Sequence, residues 1–242
     1  MTDWPRVDYF RASMRGLYAI VDLALLQARH IDPVAFSEAI LSARPAALQL
    51  RAKGASPRDT LALLRTLAPM CHRVSVPLVA NDRPDWALFT GCDMVHVGQT
   101  DMPIDRVRRL APGLGVGVST HTTAELEAAI QARASYVAFG PIFETLTKEK
   151  PDPIVGVAGL YRARARAALA CIPLVAIGGI TRERARAIVG AADAIAVIGA
   201  LLPPATTGDE ERTMSDVLSE VAGRARELSA LFAIEPASAG AG

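Results

Sequence analysis

The chain has 242 residues, 51% apolar and 21% charged, with a formal net charge of +1. That balance excludes holding nucleic acid by bulk electrostatics and leaves room only for local anion sites, while the length suits one (β/α)8 barrel. No apolar run approaches the ~20 residues that cross a bilayer, so no membrane partner is expected.

The opening MTDWPRVDYFRASMR lacks the apolar centre of a secretory signal, and residues 1–15 read as a leading arm or helix. Cys71, Cys92 and Cys171 are far apart, lie in apolar surroundings and form no CxxC or Cys/His cluster. They read as reduced core residues of a cytoplasmic protein.

Short apolar runs, many of them β-branched, then recur: LYAIV from Leu17, AALQLR from Ala46, PLVAN from Pro77 and MVHVG from Met94. GVGVS from Gly115, YVAFG from Tyr136, PLVAIGG from Pro173 and DAIAVIG from Asp193 complete the set. Stretches with helical spacing lie between them, such as PRDTLALLRTLAPMC at 57–71 and TAELEAAIQAR at 123–133, the second opened by Thr122 as N-cap. Strands that are apolar at nearly every position need cover on both faces, which favours a parallel sheet. Strand and helix in alternation therefore predict an α/β fold, a closed eight-stranded parallel (β/α)8 TIM barrel over residues 16–235.

A doubly wound open sheet would also alternate, but it carries a Gly-rich dinucleotide turn after its first strand, and LYAIVDLALL has none. Past the eighth run, PPATTGDEER at 203–212 reads as a loop, 214–232 as a last helix and PASAGAG at 236–242 as a disordered tail. No second domain is expected.

Such barrels place their chemistry at the C-terminal ends of the strands, and the unusual polar residues collect there. Strand two ends Gln49-Leu50-Arg51-Ala52-Lys53, whose alternation sets Gln49, Arg51 and Lys53 on one side. Strand three ends Asn81-Asp82-Arg83, strand four runs into Gly98-Gln99-Thr100-Asp101 and strand five into Ser119-Thr120-His121. Strand six leads into FGPIFETLTKEK, with Thr145, Thr147 and Lys148, while strands seven and eight end at Gly178-Gly179 and Ile198-Gly199.

Taken singly, Asn81-Asp82 and Thr122 are ordinary helix caps, Lys148 and Lys150 surface charges and His121 a loop histidine. Gln49 and Arg51 resist such readings, because buried strand ends rarely carry an amide and a guanidinium unless something polar meets them. As a set, Arg51, Lys53 and Lys148 suit a polyanion, and Asp82 and Asp101 offer hard oxygens for Mg²⁺ shared with phosphate. The absence of thiolate ligands argues against zinc. The glycines after strands seven and eight match the usual phosphate site of these barrels. Two anion sites imply two phosphorylated small-molecule substrates.

The ordered motifs QLRAK, ANDR, HVGQTD, GVSTHT, GPIFETLTK, AIGGI and AVIGAL, spanning about residues 17–202, resemble the thiamine phosphate synthase family. The resemblance implies coupling of 4-amino-2-methyl-5-(diphosphooxymethyl)pyrimidine with a thiazole phosphate, giving thiamine phosphate and pyrophosphate. It implies that Gln49, Arg51, Lys53 and Asn81 hold the pyrimidine diphosphate, with Asp82 and Asp101 on Mg²⁺. Ser119 and Lys148 then contact the departing diphosphate, and Thr145, Thr147, Gly179, Ile198 and Gly199 hold the thiazole phosphate. Arg51, Lys53, Ser119 and Lys148 form the implied catalytic set. The family mechanism is dissociative: the C–O bond breaks first, and the thiazole nitrogen captures the pyrimidine methylene cation.

One departure is Ala196, where many members of the family carry serine. The sister family of thiazole tautomerases shares the barrel and a histidine at the position of His121, but has no use for Asp82, Asp101 or the Thr147-Lys148 pair. A catalytically inactive phosphate-binding barrel is the alternative from another class, and it would be expected to lose some of the charged strand ends. The sequence leaves a homo-oligomer open.

Overall fold

The computed structural model describes residues 14–144, 153–204 and 212–233. Eight parallel strands close into one barrel in chain order: β1 (Gly16–Asp22), β2 (Ala47–Arg51), β3 (Leu78–Asn81), β4 (Met94–Val97), β5 (Gly115–Thr120), β6 (Tyr136–Phe139), β7 (Leu174–Ile177) and β8 (Ala194–Val197). The expected fold is therefore found. β1, β4, β6 and β8 are buried at every position, as their uninterrupted apolar runs require.

Helices cover the outside. Between β1 and β2 there are two, α1 (Leu23–Ala28) and α2 (Pro33–Leu41), followed by α3 (Pro57–Arg73), α4 (Pro84–Thr90), α5 (Ile104–Leu110) and α6 (Thr123–Gln131). Then come α7 (Gly156–Leu169), α8 (Arg182–Arg186) and α9 (Met214–Ala233). Proline opens α2, α3 and α4, where its missing N–H leaves no intrahelical bond unmade. The Asp32, Ser56 and Thr122 side chains cap α2, α3 and α6 by accepting from the backbone three residues on. α9 packs on β1 and α2, and Glu227 on it pairs with Arg182 and Arg186 of α8.

Strand alternation splits the core in two. Leu17, Ala19, Val21, Leu48 and Leu50 belong to the large outer layer between strands and helices. Tyr18, Ile20, Ala47, Val79, Met94, Tyr136, Ala138, Val175, Ala194 and Ala196 fill the barrel interior.

Two expectations need correction. Cys71 and Cys92 are buried, but Cys171 is exposed; it sits at φ +52 in the turn joining α7 to β7, which carries its side chain outward. Asn81 and Asp82 do not cap α4, whose N-cap position is Arg83 and has no side-chain cap bond. Met14 is fully buried and no helix includes Met14 or Arg15. The rest of the expected arm, most of the 203–212 loop and the 236–242 tail lie outside the described residues. Among the described residues no helix is long and apolar enough to cross a membrane.

Candidate active site

The inward register that carries Tyr18, Ala47 and Val79 also carries Gln49 and Asn81, one level nearer the C-terminal mouth. Gln49 is 3% exposed, and an amide that deeply placed must find partners. Its Nε2 donates to Asn81 Oδ1 at 2.6 Å, and its Oε1 accepts from the Tyr18 hydroxyl at 2.6 Å. The buried strand-end amide of Gln49 is thus met by polar groups from the two neighbouring strands.

At the rim above them lies an alternation of charges. Asp22, at the end of β1, stands beside Arg51 in the β1–β2 register. Its Oδ1 accepts from the Leu25 N–H at 3.1 Å, capping α1, and its Oδ2 is bonded to Arg51 Nη1. Arg51 thus reaches the mouth already paired. Lys53, two residues past the strand, lies 3.7 Å from Asp82 and is well exposed.

Asp82 adopts φ +62, a left-handed conformation that Asp tolerates better than most residues. Its N–H donates to His96 O at 2.8 Å, which ties the loop after β3 to β4. Asp101 is positioned by its own loop, its Oδ2 accepting from Gly98 N–H at 2.7 Å. Asp101 stands near enough for its charge to act on the Asp82 carboxyl. Burial and then the Asp101 charge push the Asp82 carboxyl up to about 6, with Lys53 and Arg51 pulling the other way.

Deeper in the barrel, Ser119 Oγ lies 2.8 Å from His96 Nε2, and His96 Nδ1 lies 2.8 Å from the Tyr136 hydroxyl. Burial holds the His96 imidazole down to about 4, so it is neutral near pH 7. Tyr136 fits only because β5 carries Gly117: a Cβ there would stand 1.9 Å from Tyr136 Cζ. A serine on a histidine resembles the start of a nucleophilic triad, but the far nitrogen meets a tyrosine hydroxyl rather than a carboxylate that could stabilise an imidazolium.

On the opposite side of the mouth the loops after β6 and β7 are stitched together. Ile142 N–H donates to Ile177 O at 2.9 Å and Phe143 N–H to Gly178 O at 3.0 Å. Gly179, at φ +64, passes so close that a Cβ would lie 2.2 Å from Glu144 O and 2.8 Å from Phe143 O. Ile177 stands beside Ala196 in the β7–β8 register, so Gly178-Gly179 and Ile198-Gly199 follow the ends of neighbouring strands. Ala196 itself faces the interior beside Tyr18. His121 Nδ1 donates to Gly140 O at 2.6 Å, and its backbone N–H donates to Glu125 Oε2 at 2.6 Å.

Because both atoms near the missing Cβ are backbone, Gly179→Ala is expected to destabilise by roughly 2–4 kcal/mol, adding a left-handed penalty to overpacking. The melting temperature checks this; an unchanged value would show that the β6 and β7 loops separate freely.

The structure thus brings Gln49, Arg51, Lys53, Asn81, Asp82, Asp101 and Ser119 to one side of the mouth, and Gly179, Ile198 and Gly199 to another. Thr145, Thr147 and Lys148 lie outside the described residues. Four residues of the site escaped the sequence reading: Asp22, Tyr18, His96 and Tyr136. Asp22 carried the same signal as the others, a charge directly after an apolar strand, and His96 is a polar residue inside one. The two tyrosines look like core aromatics until their partners are seen. Among the described residues no group of three or more His, Cys, Asp and Glu is placed to hold a metal ion.

Residues 17–201 match the family model described as thiamine monophosphate synthase. The chain is 35% identical over 218 residues to a thiamine-phosphate synthase of Chloroflexus aurantiacus, covering 90% of this chain and 93% of that one. Over 152 residues it is 41% identical to a thiamine-phosphate synthase of Chlorobium phaeovibrioides, with 62% and 71% covered. The solved thiamine phosphate pyrophosphorylase of Pyrococcus furiosus superposes with a TM-score of 0.71 at 29% identity, over 90% of this chain and 98% of that one.

Proposed function

The chain belongs to the thiamine monophosphate synthase family, and from that premise we infer that it couples a pyrimidine diphosphate to a thiazole phosphate, giving thiamine phosphate and pyrophosphate. The observation that carries this reading is the meeting of Asp82 and Asp101 at the mouth, beside Lys53 and above the Gln49–Asn81 pair. A tautomerase has no need of such a charged cluster, and a retained but inactive barrel would have no reason to keep it. We take the catalytic unit to be the single barrel, residues 16–235.

Burial, and after it the neighbouring Asp101 charge, keeps a proton on Asp82 up to about pH 6, so the pair is short of a positive charge. Among the described residues no third His, Cys, Asp or Glu joins the two carboxyl groups, and a site of so few hard oxygens suits Mg²⁺, an ion that keeps waters and shares phosphate oxygens. We therefore propose that Asp82 and Asp101 hold Mg²⁺, which supplies charge neutralisation for the diphosphate when bound. Asp101 is kept in place by the Gly98 N–H, and Asp82 by its bond to the β4 backbone.

The chain's own groups then bind, orient and exclude water. Gln49 and Asn81 present amide groups to the pyrimidine edge, Lys53 and Arg51 supply cations at the diphosphate, and Ser119 stands at the inner side of the leaving group. Lys148, Thr145 and Thr147 are assigned to the two phosphates on the resemblance alone. Gly179, Ile198 and Gly199 bring backbone to the thiazole phosphate. The C–O bond of the pyrimidine diphosphate breaks with its electron pair leaving on pyrophosphate, and the thiazole nitrogen lone pair forms the new C–N bond. No side-chain nucleophile takes part; rate comes from placing two substrates and stabilising departing negative charge.

His121 separates this reading from the tautomerase one. A tautomerase would need it to move a proton, whereas here its ring is a strut on the Gly140 carbonyl. His121→Ala is expected to keep coupling activity within roughly tenfold of the parent, the value of one lost hydrogen bond. Loss of all coupling would overturn the strut role, and wild-type tautomerisation of a thiazole carboxylate phosphate that the variant cannot perform would favour the sister activity.

A further inference from the structure

Five contacts join Asn81 to Ser119 through the barrel interior. Asn81 Oδ1 meets Gln49 Nε2 at 2.6 Å, Gln49 Oε1 meets Tyr18 OH at 2.6 Å and Tyr18 OH meets Tyr136 OH at 2.7 Å. Tyr136 OH meets His96 Nδ1 at 2.8 Å, and His96 Nε2 meets Ser119 Oγ at 2.8 Å. Tyr18 and Tyr136 are buried without exposed surface to spare, at 1% and 0%. Water therefore has no place beside the two hydroxyls to rescue a broken link.

Counting hydrogens fixes the order of this chain. Four links run from Gln49 to Ser119, and Tyr18, Tyr136, neutral His96 and Ser119 each bring one hydrogen. With Gln49 Oε1 facing Tyr18, every one of the four is used: Tyr18 donates to Gln49, Tyr136 to Tyr18, His96 Nδ1–H to Tyr136 and Ser119 to His96 Nε2. Toward the mouth Ser119 can then only accept.

The other complete order begins with the Gln49 amide turned over. Gln49 Nε2–H donates to Tyr18, Tyr18 to Tyr136, Tyr136 to His96 Nδ1 and His96 Nε2–H to Ser119, whose own hydrogen is released toward the mouth. Asn81 turns over as well, giving its amide N–H to Gln49 Oε1. The two orders hold the same total, one hydrogen to each hydroxyl and to the ring: the hydroxyls rotate, the amides turn, and His96 loses its Nδ1 hydrogen and gains one at Nε2 by exchange with solvent. Any mixed order leaves a buried link with two hydrogens or with none.

We propose that Tyr18, Tyr136 and His96 are positioning residues that tie the direction of the Ser119 O–H to the amide orientation of Gln49 and Asn81. An anion oxygen at Ser119 accepts a hydrogen, so it selects the second order and turns both amides on the far side of the mouth. The site thereby reads the ring and its leaving group as one ligand: the amide face offered to the pyrimidine depends on whether diphosphate is in place. This rests on the proposed function, which sets the diphosphate at Ser119.

The test uses the full-length protein with nitrogen-labelled histidine, its His96 signals identified by their loss in His96→Gln among the four histidines. Nitrogen–proton NMR reports which ring nitrogen carries hydrogen, and inorganic pyrophosphate with Mg²⁺ is the probe, its binding followed by calorimetry. His96 is expected to be Nδ1–H in the free protein and Nε2–H with pyrophosphate bound. In Tyr136→Phe, shown to fold by its melting curve, KM for the pyrimidine diphosphate is expected to rise roughly tenfold while KM for the thiazole phosphate stays put; a merely structural role would move both. An unchanged tautomer with pyrophosphate bound overturns the coupling, and so does failure of pyrophosphate to bind. Assay of thiamine phosphate formation on the same preparation separates the failures: a protein that turns over without the tautomer change loses the relay alone, and one that neither turns over nor binds loses the functional reading too.

Discussion

Asp82→Asn is expected to lower kcat/KM for the pyrimidine diphosphate by roughly 10²- to 10³-fold, the scale of removing one preorganised electrostatic group from a site of developing charge. Asp101→Asn should follow, and chelation of divalent metal should stop coupling in the parent while the barrel stays folded. Stability should move the opposite way. Asp82 is raised from 3.8 to about 6 in the folded protein, so the proton is bound more tightly folded than unfolded. Its contribution is fully present below about pH 4 and is lost as pH rises through about 6.

Above pH 6 the ionised carboxylate is therefore a burden on the metal-free protein, and Asp82→Asn should raise stability there by something on the order of 1 kcal/mol after solvent screening. Denaturant melts of metal-free protein at pH 4 and pH 7 measure the difference. A variant that is less stable at pH 7 and turns over normally would return Asp82 to a structural role.

The second large effect concerns Arg51. Its partner Asp22 is 4% exposed and also caps α1, so Arg51→Ala strands a buried carboxylate at a cost of about 3–5 kcal/mol. Activity should fall as well, because the guanidinium is assigned to the diphosphate. The two losses come apart in the double variant Asp22→Asn/Arg51→Met, which removes both charges. It is expected to recover most of the melting temperature and none of the turnover. Recovery of both would make the pair a structural strut only.

Much of this arrangement was legible in the residue order because a parallel barrel obeys a simple rule. Strands covered on both faces must be largely apolar, so the polar residues at their C-terminal ends mark where each leaves the core, and those marks include Gln49, Asn81 and Ser119. What stayed hidden was pairing across strands. Arg51 reads as a free cation until the register sets it beside Asp22. Tyr18 and Tyr136, 118 positions apart, look like packing residues until closure of the barrel brings their hydroxyls to 2.7 Å. Asn81-Asp82 looked like a cap because caps follow strands often; the left-handed Asp82 turns that segment toward β4 instead. Cys171 shows the converse error, since apolar neighbours in sequence do not bury a residue held in an outward turn.

The most direct test incubates the purified chain with 4-amino-2-methyl-5-(diphosphooxymethyl)pyrimidine, a thiazole phosphate and Mg²⁺, and measures thiamine phosphate and pyrophosphate together. The expected result is both products in equal amounts, with neither formed when one substrate or the metal is withheld. Absence of thiamine phosphate with both substrates and Mg²⁺ present, in protein whose melting curve shows it folded, would contradict the assignment.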